Sequence, residues 1–212
     1  MTGDDVDLVD TTVTGYAAGT EIKSGEVKVQ TLNEYGQDLA TYIWYDYKNK
    51  RGEPVIGWYT QQNQPVVRDD VTFQAGEGLW FSCTGNGFNL QSSGQVPQST
   101  VLVELQENGL SVANPTPVET DLTKCIITGY AAGTEIKSGE VKVQTLNEYG
   151  QDLATYIWYD YTNKRGEHIV GWYTQQNQPL QEGVVPLDPG VGIWASCTAD
   201  GFNFVWPGVE IK

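Results

Sequence analysis

Residues 41–47 read TYIWYDY, and residues 155–161 read TYIWYDY again. β-Branched and aromatic residues dominate this stretch, so it predicts a β-strand in both places. Side chains alternate along a strand, which places Tyr42 and Trp44 on one face and an isoleucine and two tyrosines on the other. One of these faces must cover a core.

The repeated stretch belongs to a much longer duplication. At a constant offset of 114 residues, positions 14–65 and 128–179 are identical at 48 of 52 places. The same offset still relates Trp80 to Trp194 without a gap. Each copy is therefore about 80 residues long, which is enough for a small core of its own, and a solenoid of short repeats is not expected.

The rest of each copy also has the composition of a β protein, with short runs of Val, Thr, Tyr and Trp between Gly- and Asn-containing turns. No segment shows a sustained helical period. We predict an all-β fold of two tandem, internally duplicated β-sandwich or partly open β-barrel domains, at residues 1–98 and 125–212, with a connector at residues 99–124. The strands predicted for the first copy are Val9–Tyr16, Glu26–Leu32, Ala40–Tyr47, Val55–Thr60, Val71–Gln74, Leu79–Thr84 and Phe88–Gln91.

Two kinds of turn are predicted between these strands. Asn86-Gly87 and its counterpart Asp200-Gly201 favour a type I′ hairpin, because these residues accept a positive φ. The charged stretch 49–52 predicts a longer hairpin loop.

Net charge limits the partners. A charge of −15 repels phosphate backbones, so nucleic acid is not an expected partner. No apolar run is long enough to span a bilayer, so membrane insertion is not expected. The beginning of the chain lacks the basic and apolar regions of a secretory signal, and an extracellular or surface-associated location would therefore require that a signal had been removed.

Metal, cofactor and enzymatic chemistry are not expected. Four aspartates lie within residues 4–10, but they lack the glycine-turned loop that binds Ca²⁺, so we interpret them as a solvated acidic tail. The only histidine, His168, corresponds to Pro54 in the first copy, so no histidine-dependent site exists twice. We therefore predict no metal, no cofactor and no enzymatic activity.

Aromatic residues beside side-chain amides suggest a sugar-binding site in each copy. Flat aromatic faces cover sugar C–H groups, and amides supply both donors and acceptors to hydroxyls. The alternative is that the aromatics fill the core and the amides form an ordinary polar loop. The candidate residues are Trp44, Trp58, Tyr59, Gln61, Gln62 and Asn63, with Trp158, Trp172, Tyr173, Gln175, Gln176 and Asn177 in the second copy.

The connector has strand character at Val101, Leu102, Val103 and Leu105. One copy would gain this strand and the other would lack it, which would leave an exposed edge able to accept a strand from another molecule. The alternative is that the strand merely completes the first or the second sheet.

These observations favour a non-enzymatic extracellular or particle-surface protein for adhesion or assembly, acting through a protein partner or self-assembly at β edges, with glycans as a further partner. The layout is similar in a general way to tandem β-sandwich repeats of bacterial cell-surface and fibre proteins, and this likeness concerns the fold alone. The alternative functions are tandem carbohydrate-binding modules and a phage or virion decoration or fibre protein.

Overall fold

The computed structural model describes residues 5–85, 87–92, 98–105, 107–137, 139–199 and 201–209. Within these ranges the chain is nearly all β, in several antiparallel sheets, and none of the sheets closes into a barrel. The all-β prediction is confirmed. The two predicted type I′ turns include Asn86 and Asp200, which lie outside the described residues.

The described part of the first unit contains eight strands and one 3-10 helix, at Leu8–Asp10. Its largest sheet has the order β5-β4-β3-β7, and β2-β8 and β1-β6 form two small sheets. The strands are β1 (Val6–Asp7), β2 (Thr12–Thr14), β3 (Val27–Leu32), β4 (Asp38–Lys48), β5 (Pro54–Thr60), β6 (Thr72–Phe73), β7 (Trp80–Cys83) and β8 (Asn89–Gln91).

The connector and the second unit contain the remaining strands, with a 3-10 helix at Leu122–Lys124. Here the largest sheet has the order β10-β17-β13-β14-β15, beside the sheets β12-β18-β9 and β11-β16. The strands are β9 (Val101–Glu104), β10 (Leu110–Ala113), β11 (Thr120–Asp121), β12 (Ile126–Thr128), β13 (Val141–Leu146), β14 (Asp152–Thr162), β15 (His168–Thr174), β16 (Pro186–Leu187), β17 (Gly192–Cys197) and β18 (Asn203–Trp206).

Alternation along the long strand β4 separates core from surface. Trp44 points into the core and packs edge-on against Trp58 of β5, with ring centroids 5.3 Å apart. Tyr45, the next residue, lies on the opposite face. The hairpin between β4 and β5 is held by Asn49, whose side-chain oxygen accepts hydrogen bonds from the N–H groups of Arg51 and Glu53. The loop predicted at residues 49–52 is thus observed.

Each unit has its own core. The first consists of Leu8, Val13, Ile22, Val27, Val29, Trp44, Trp58 and Phe73. The second is larger, because connector residues join it. It consists of Val101, Val103, Leu105, Val112, Leu122, Cys125, Ile127, Ile136, Val141, Val143, Trp158, Trp172, Val185, Leu187, Ile193, Ala195, Cys197, Phe202, Phe204 and Trp206.

The start of the chain differs from the predicted solvated tail. Asp7 is buried, and its carboxylate accepts hydrogen bonds from the N–H groups of Val9 and Asp69 at 3.0 and 2.6 Å. It caps the 3-10 helix, which replaces the beginning of the strand predicted at Val9–Tyr16. Asp10 pairs with Arg68. Asp7 and Asp10 therefore bind neighbouring backbone and side chains, whereas Asp5 is exposed. Asp7 caps the helix because short aspartate side chains readily cap helical turns.

Candidate functional site

The connector strands complete the second unit. Strand β9 pairs with β18, and β10 pairs with β17, so one segment closes the same side of both sheets. Between them, the Leu105 N–H donates to the Phe202 carbonyl at 2.8 Å. In the first unit the corresponding strands, β8 and β7, have only β2 and β3 as partners among the described residues.

Core residues of the first unit are left partly uncovered on this side. Strand β7 has four residues where β17 has six, because β17 is held on both edges. Several positions that are buried in the second unit are half-buried or exposed in the first. They include Ala195, Cys197 and Phe204, whose counterparts are Phe81, Cys83 and Leu90.

The outer edge of β10 contacts the first unit. The Gly78 N–H donates to the Ser111 carbonyl at 2.9 Å, and the Ala113 N–H donates to the Gly76 carbonyl at 2.8 Å. Gly78 must approach closely here, since a Cβ at this position would lie 2.2 Å from the Ser111 Oγ. The connector is therefore held between the two units and fixes how one lies beside the other.

A cleft of about 540 Å³ lies between the units. Six residues of each unit line it, and the two sets are related by the offset of 114. The first set is Gln30, Leu32, Tyr35, Gly36, Asp38 and Trp80, and the second is Gln144, Leu146, Tyr149, Gly150, Asp152 and Trp194.

The contacts across the cleft are reciprocal. Gly36, in the turn between β3 and β4, approaches the Trp194 ring, and Gly150 approaches the Trp80 ring. A Cβ on Gly150 would lie 3.1 Å from Trp80, and both glycines have a positive φ, so the turn of each hairpin suits glycine. The units thus face one another as a pseudo-two-fold pair. The alternating pattern of the strands did not predict that these residues would line a cleft.

The predicted tryptophan platforms are buried, and this corrects the expectation of exposed rings. Trp44 and Trp58 are only 5% and 3% exposed, and Trp158 and Trp172 are buried in the same way. The Trp172 indole N–H donates to the Cys125 carbonyl at 2.8 Å. Packing within each core leaves these rings no surface for a sugar.

The other predicted sugar-site residues lie on the outer face of the large sheets. Tyr59 packs against Tyr45 with ring centroids 5.1 Å apart, and the Tyr45 hydroxyl donates to the Asn63 side-chain oxygen at 2.9 Å. Gln61 and Gln62 are exposed in the following turn.

The second unit repeats this tyrosine cluster. Tyr173 packs against Tyr159, whose hydroxyl donates to Asn177 at 2.7 Å, and Gln175 and Gln176 are exposed. The structure therefore brings the tyrosine and asparagine of each predicted set together, at a distance from the buried tryptophans.

The only histidine lies beside an acid. His168 Nε2 is 2.6 Å from Asp160 Oδ1, and the Tyr130 hydroxyl donates to the other oxygen of Asp160 at 2.7 Å. Burial and the bond to Asp160 raise the pKa of Tyr130 to about 12. The first unit keeps the corresponding Tyr16–Asp46 bond although Pro54 replaces the histidine, so this pair holds the sheet independently of His168.

Asp121 is the best-satisfied buried carboxylate. It accepts hydrogen bonds from the Thr123 N–H and hydroxyl, and from the N–H groups of Gly183 and Val185. Burial raises the pKa of Asp121, but these hydrogen bonds outweigh it, so the net pKa lies below its ordinary value. Within the described ranges no three His, Cys, Asp or Glu side chains form a group that could bind a metal.

Among the residues that the structure describes, no helix is long and apolar enough to cross a bilayer. Comparison with protein-family models, curated proteins and solved structures gave no match.

Proposed function

We propose that this chain is a non-enzymatic assembly module of an extracellular or particle surface, built from two tandem β-sandwich units, and that it joins its partner by strand complementation. The open side of the first unit, formed by β7 and β8, accepts a two-strand segment like residues 101–113. The observation that carries the proposal is that Cys83 is exposed and that Phe81 and Leu90 are only half-buried, whereas their counterparts in the second unit are buried beside the connector.

The second unit shows what chemistry such a segment needs. Val101 and Val103 of β9 are buried while Leu102 and Glu104 between them are exposed, so the donor needs alternating apolar residues. It also needs a glycine where Gly109 lies, because a Cβ there would be 2.3 Å from the Trp194 Nε1. We therefore expect the occupant to come from another unit of the same repeat type.

Among the described residues, β7 and β8 each have one unpaired edge, next to residues 76–78, which β10 already contacts. Backbone hydrogen bonds to these edges would supply affinity for any extended segment, and packing against the half-buried Phe81 and Leu90 would select its side chains. Leaving these edges open exposes a pairing surface, which proteins otherwise cover or charge. Strand complementation at these edges would serve assembly on a cell surface and on a virion equally.

A peptide with the sequence of residues 99–114 tests the proposal. Added to the full chain, it should slow alkylation of Cys83 at least tenfold, because the corresponding Cys197 is buried beside the connector. Peptide mapping by mass spectrometry after iodoacetamide treatment would locate the labelled cysteines.

A control peptide carrying Val103→Asp should leave the Cys83 rate unchanged, since the charge would enter the core. If the native peptide does not protect Cys83 at millimolar concentration, the first unit does not accept this strand pair. If it instead exposes Cys197, the peptide displaces the resident connector, which also contradicts the proposal.

A further inference from the structure

The cleft between the units is chemically unlike the strand edges. It presents two indole rings, two phenol rings, two amides and two carboxylates around about 540 Å³, a volume typical of ligand pockets. Tyr35 and Tyr149 are 65% and 75% exposed at its mouth. Exposed aromatic rings beside hydrogen-bonding side chains are a recurrent way to bind an amphipathic ligand.

Charge excludes anionic ligands from this cleft. Of the described residues that line it, none is lysine or arginine, whereas Asp38 and Asp152 each bring a carboxylate. The chain as a whole carries a net charge of −15. A phosphate or an acidic sugar would therefore meet repulsion both near the cleft and inside it.

The cleft continues as a groove over the outer face of the second unit. A further space of about 470 Å³ shares Gln144 and Asp152 with the cleft, and leads to Thr155 and Gln175. Lys142 also lines this groove. A long cationic ligand would meet the lysine there, whereas an uncharged chain of hydroxyl groups can bond to the amides, the threonine and the lysine in turn.

We propose that the cleft and its groove bind a segment of a neutral polysaccharide. The tyrosine and tryptophan rings cover the apolar faces of sugar rings, and Asp38, Asp152 and Gln144 bond to hydroxyl groups. The Gln144 amide already donates to Asp152, so this carboxylate is placed by a neutral donor and accepts further hydrogen bonds from the ligand. Gln175 extends the site along the second unit.

Titration calorimetry of the full chain with cellohexaose, xylohexaose, mannohexaose and maltohexaose tests the inference. At least one should bind, and the double variant Tyr35→Ser, Tyr149→Ser should weaken binding at least tenfold. Both tyrosines are highly exposed, so the variant should keep the parent's melting temperature. Leu39→Ser with Leu153→Ser is the matched control, since these residues are equally exposed but do not line the cleft.

Neighbouring amides supply a second control. Gln175→Ala should weaken binding several-fold because this residue lines the groove, and Gln176→Ala, at an exposed amide outside the groove's lining, should leave the affinity unchanged. Equal effects of the two substitutions would contradict the role of the groove.

Three outcomes would overturn the inference. Failure of all four hexasaccharides to bind at millimolar concentration would make the cleft an interface only. Binding of tetramethylammonium or choline in their place would make it a cation cage. Sugar binding that survives in the double tyrosine variant would place the site elsewhere. Each outcome is independent of Cys83 protection by the connector peptide.

Discussion

The two units differ most where their sequences are joined. Their β3, β4 and β5 strands pair in the same register as β13, β14 and β15. Strands β17 and β18 nevertheless have an additional partner from the connector, whereas β7 and β8 lack one among the described residues. Equivalent strands of the two units therefore reach different degrees of burial, because a neighbouring segment covers those of the second unit and their side chains also differ.

The largest expected loss of stability comes from disrupting the packing of the connector in the second core. Val103→Asp should destabilise the second unit by about 4 kcal/mol or more, because it places a charge at a position that is 5% exposed and packed within the core. Leu102→Asp, on the exposed face of the same strand, should change stability by less than about 0.5 kcal/mol. Urea unfolding followed by circular dichroism measures both.

The unfolding transition of the first unit provides a further test of this prediction. The Val103→Asp chain should retain the first unit's unfolding transition, because among the described residues β9 pairs with β18 alone. Loss of both transitions together would show that the units fold as one body through the contacts of β10 with residues 76–78.

A smaller loss of stability is expected from a matched pair of substitutions, one on β18 and one on β8. Phe204→Ala should cost about 3–5 kcal/mol, because Phe204 is fully buried and pairs with Val103 of the neighbouring strand β9. Its counterpart Leu90 is half-buried, so Leu90→Ala should cost only about 1–2 kcal/mol. Thermal unfolding of the two single variants checks the difference. Equal losses would mean that the first unit is as closed as the second.

The strands could be predicted from local pattern because alternation and turn residues act over a few positions. The long strand predicted at Ala40–Tyr47 is observed at Asp38–Lys48, and the predicted loop follows it, although the hydrogen bonds of the Asn49 side chain that hold this loop were not predicted. The 3-10 helix at Leu8–Asp10 was not predicted, although its capping bond from the Val9 N–H to Asp7 is local. The second bond of Asp7, from the Asp69 N–H, joins residues that are distant in sequence.

The candidate sites could be predicted less well. A tryptophan in a strand suits a core and a binding platform equally, and Trp44 and Trp58 are in the core. The cleft depends on how the units face one another, which is fixed by the contacts of β10 with Gly76 and Gly78. The duplicated sequence contained one signal that could have indicated the cleft, since the Tyr35 turn and Trp80 both recur after 114 residues.

The smallest expected loss of stability comes from substituting the two buried aspartates that cap the 3-10 helices. Asp121→Asn should cost roughly 1–3 kcal/mol near pH 7, because four donors would lose a charged acceptor, and Asp7→Asn should cost less because Asp7 has two. The folded-state pKa of Asp121 is lowered, so its stabilisation is present above the ordinary carboxyl pKa and is lost as the pH falls through the folded value. The gap between the parent and Asp121→Asn in urea midpoint should therefore narrow from about pH 7 to about pH 3. A gap that stays constant over this range would show that the asparagine acts through lost packing, with no contribution from the carboxylate's charge.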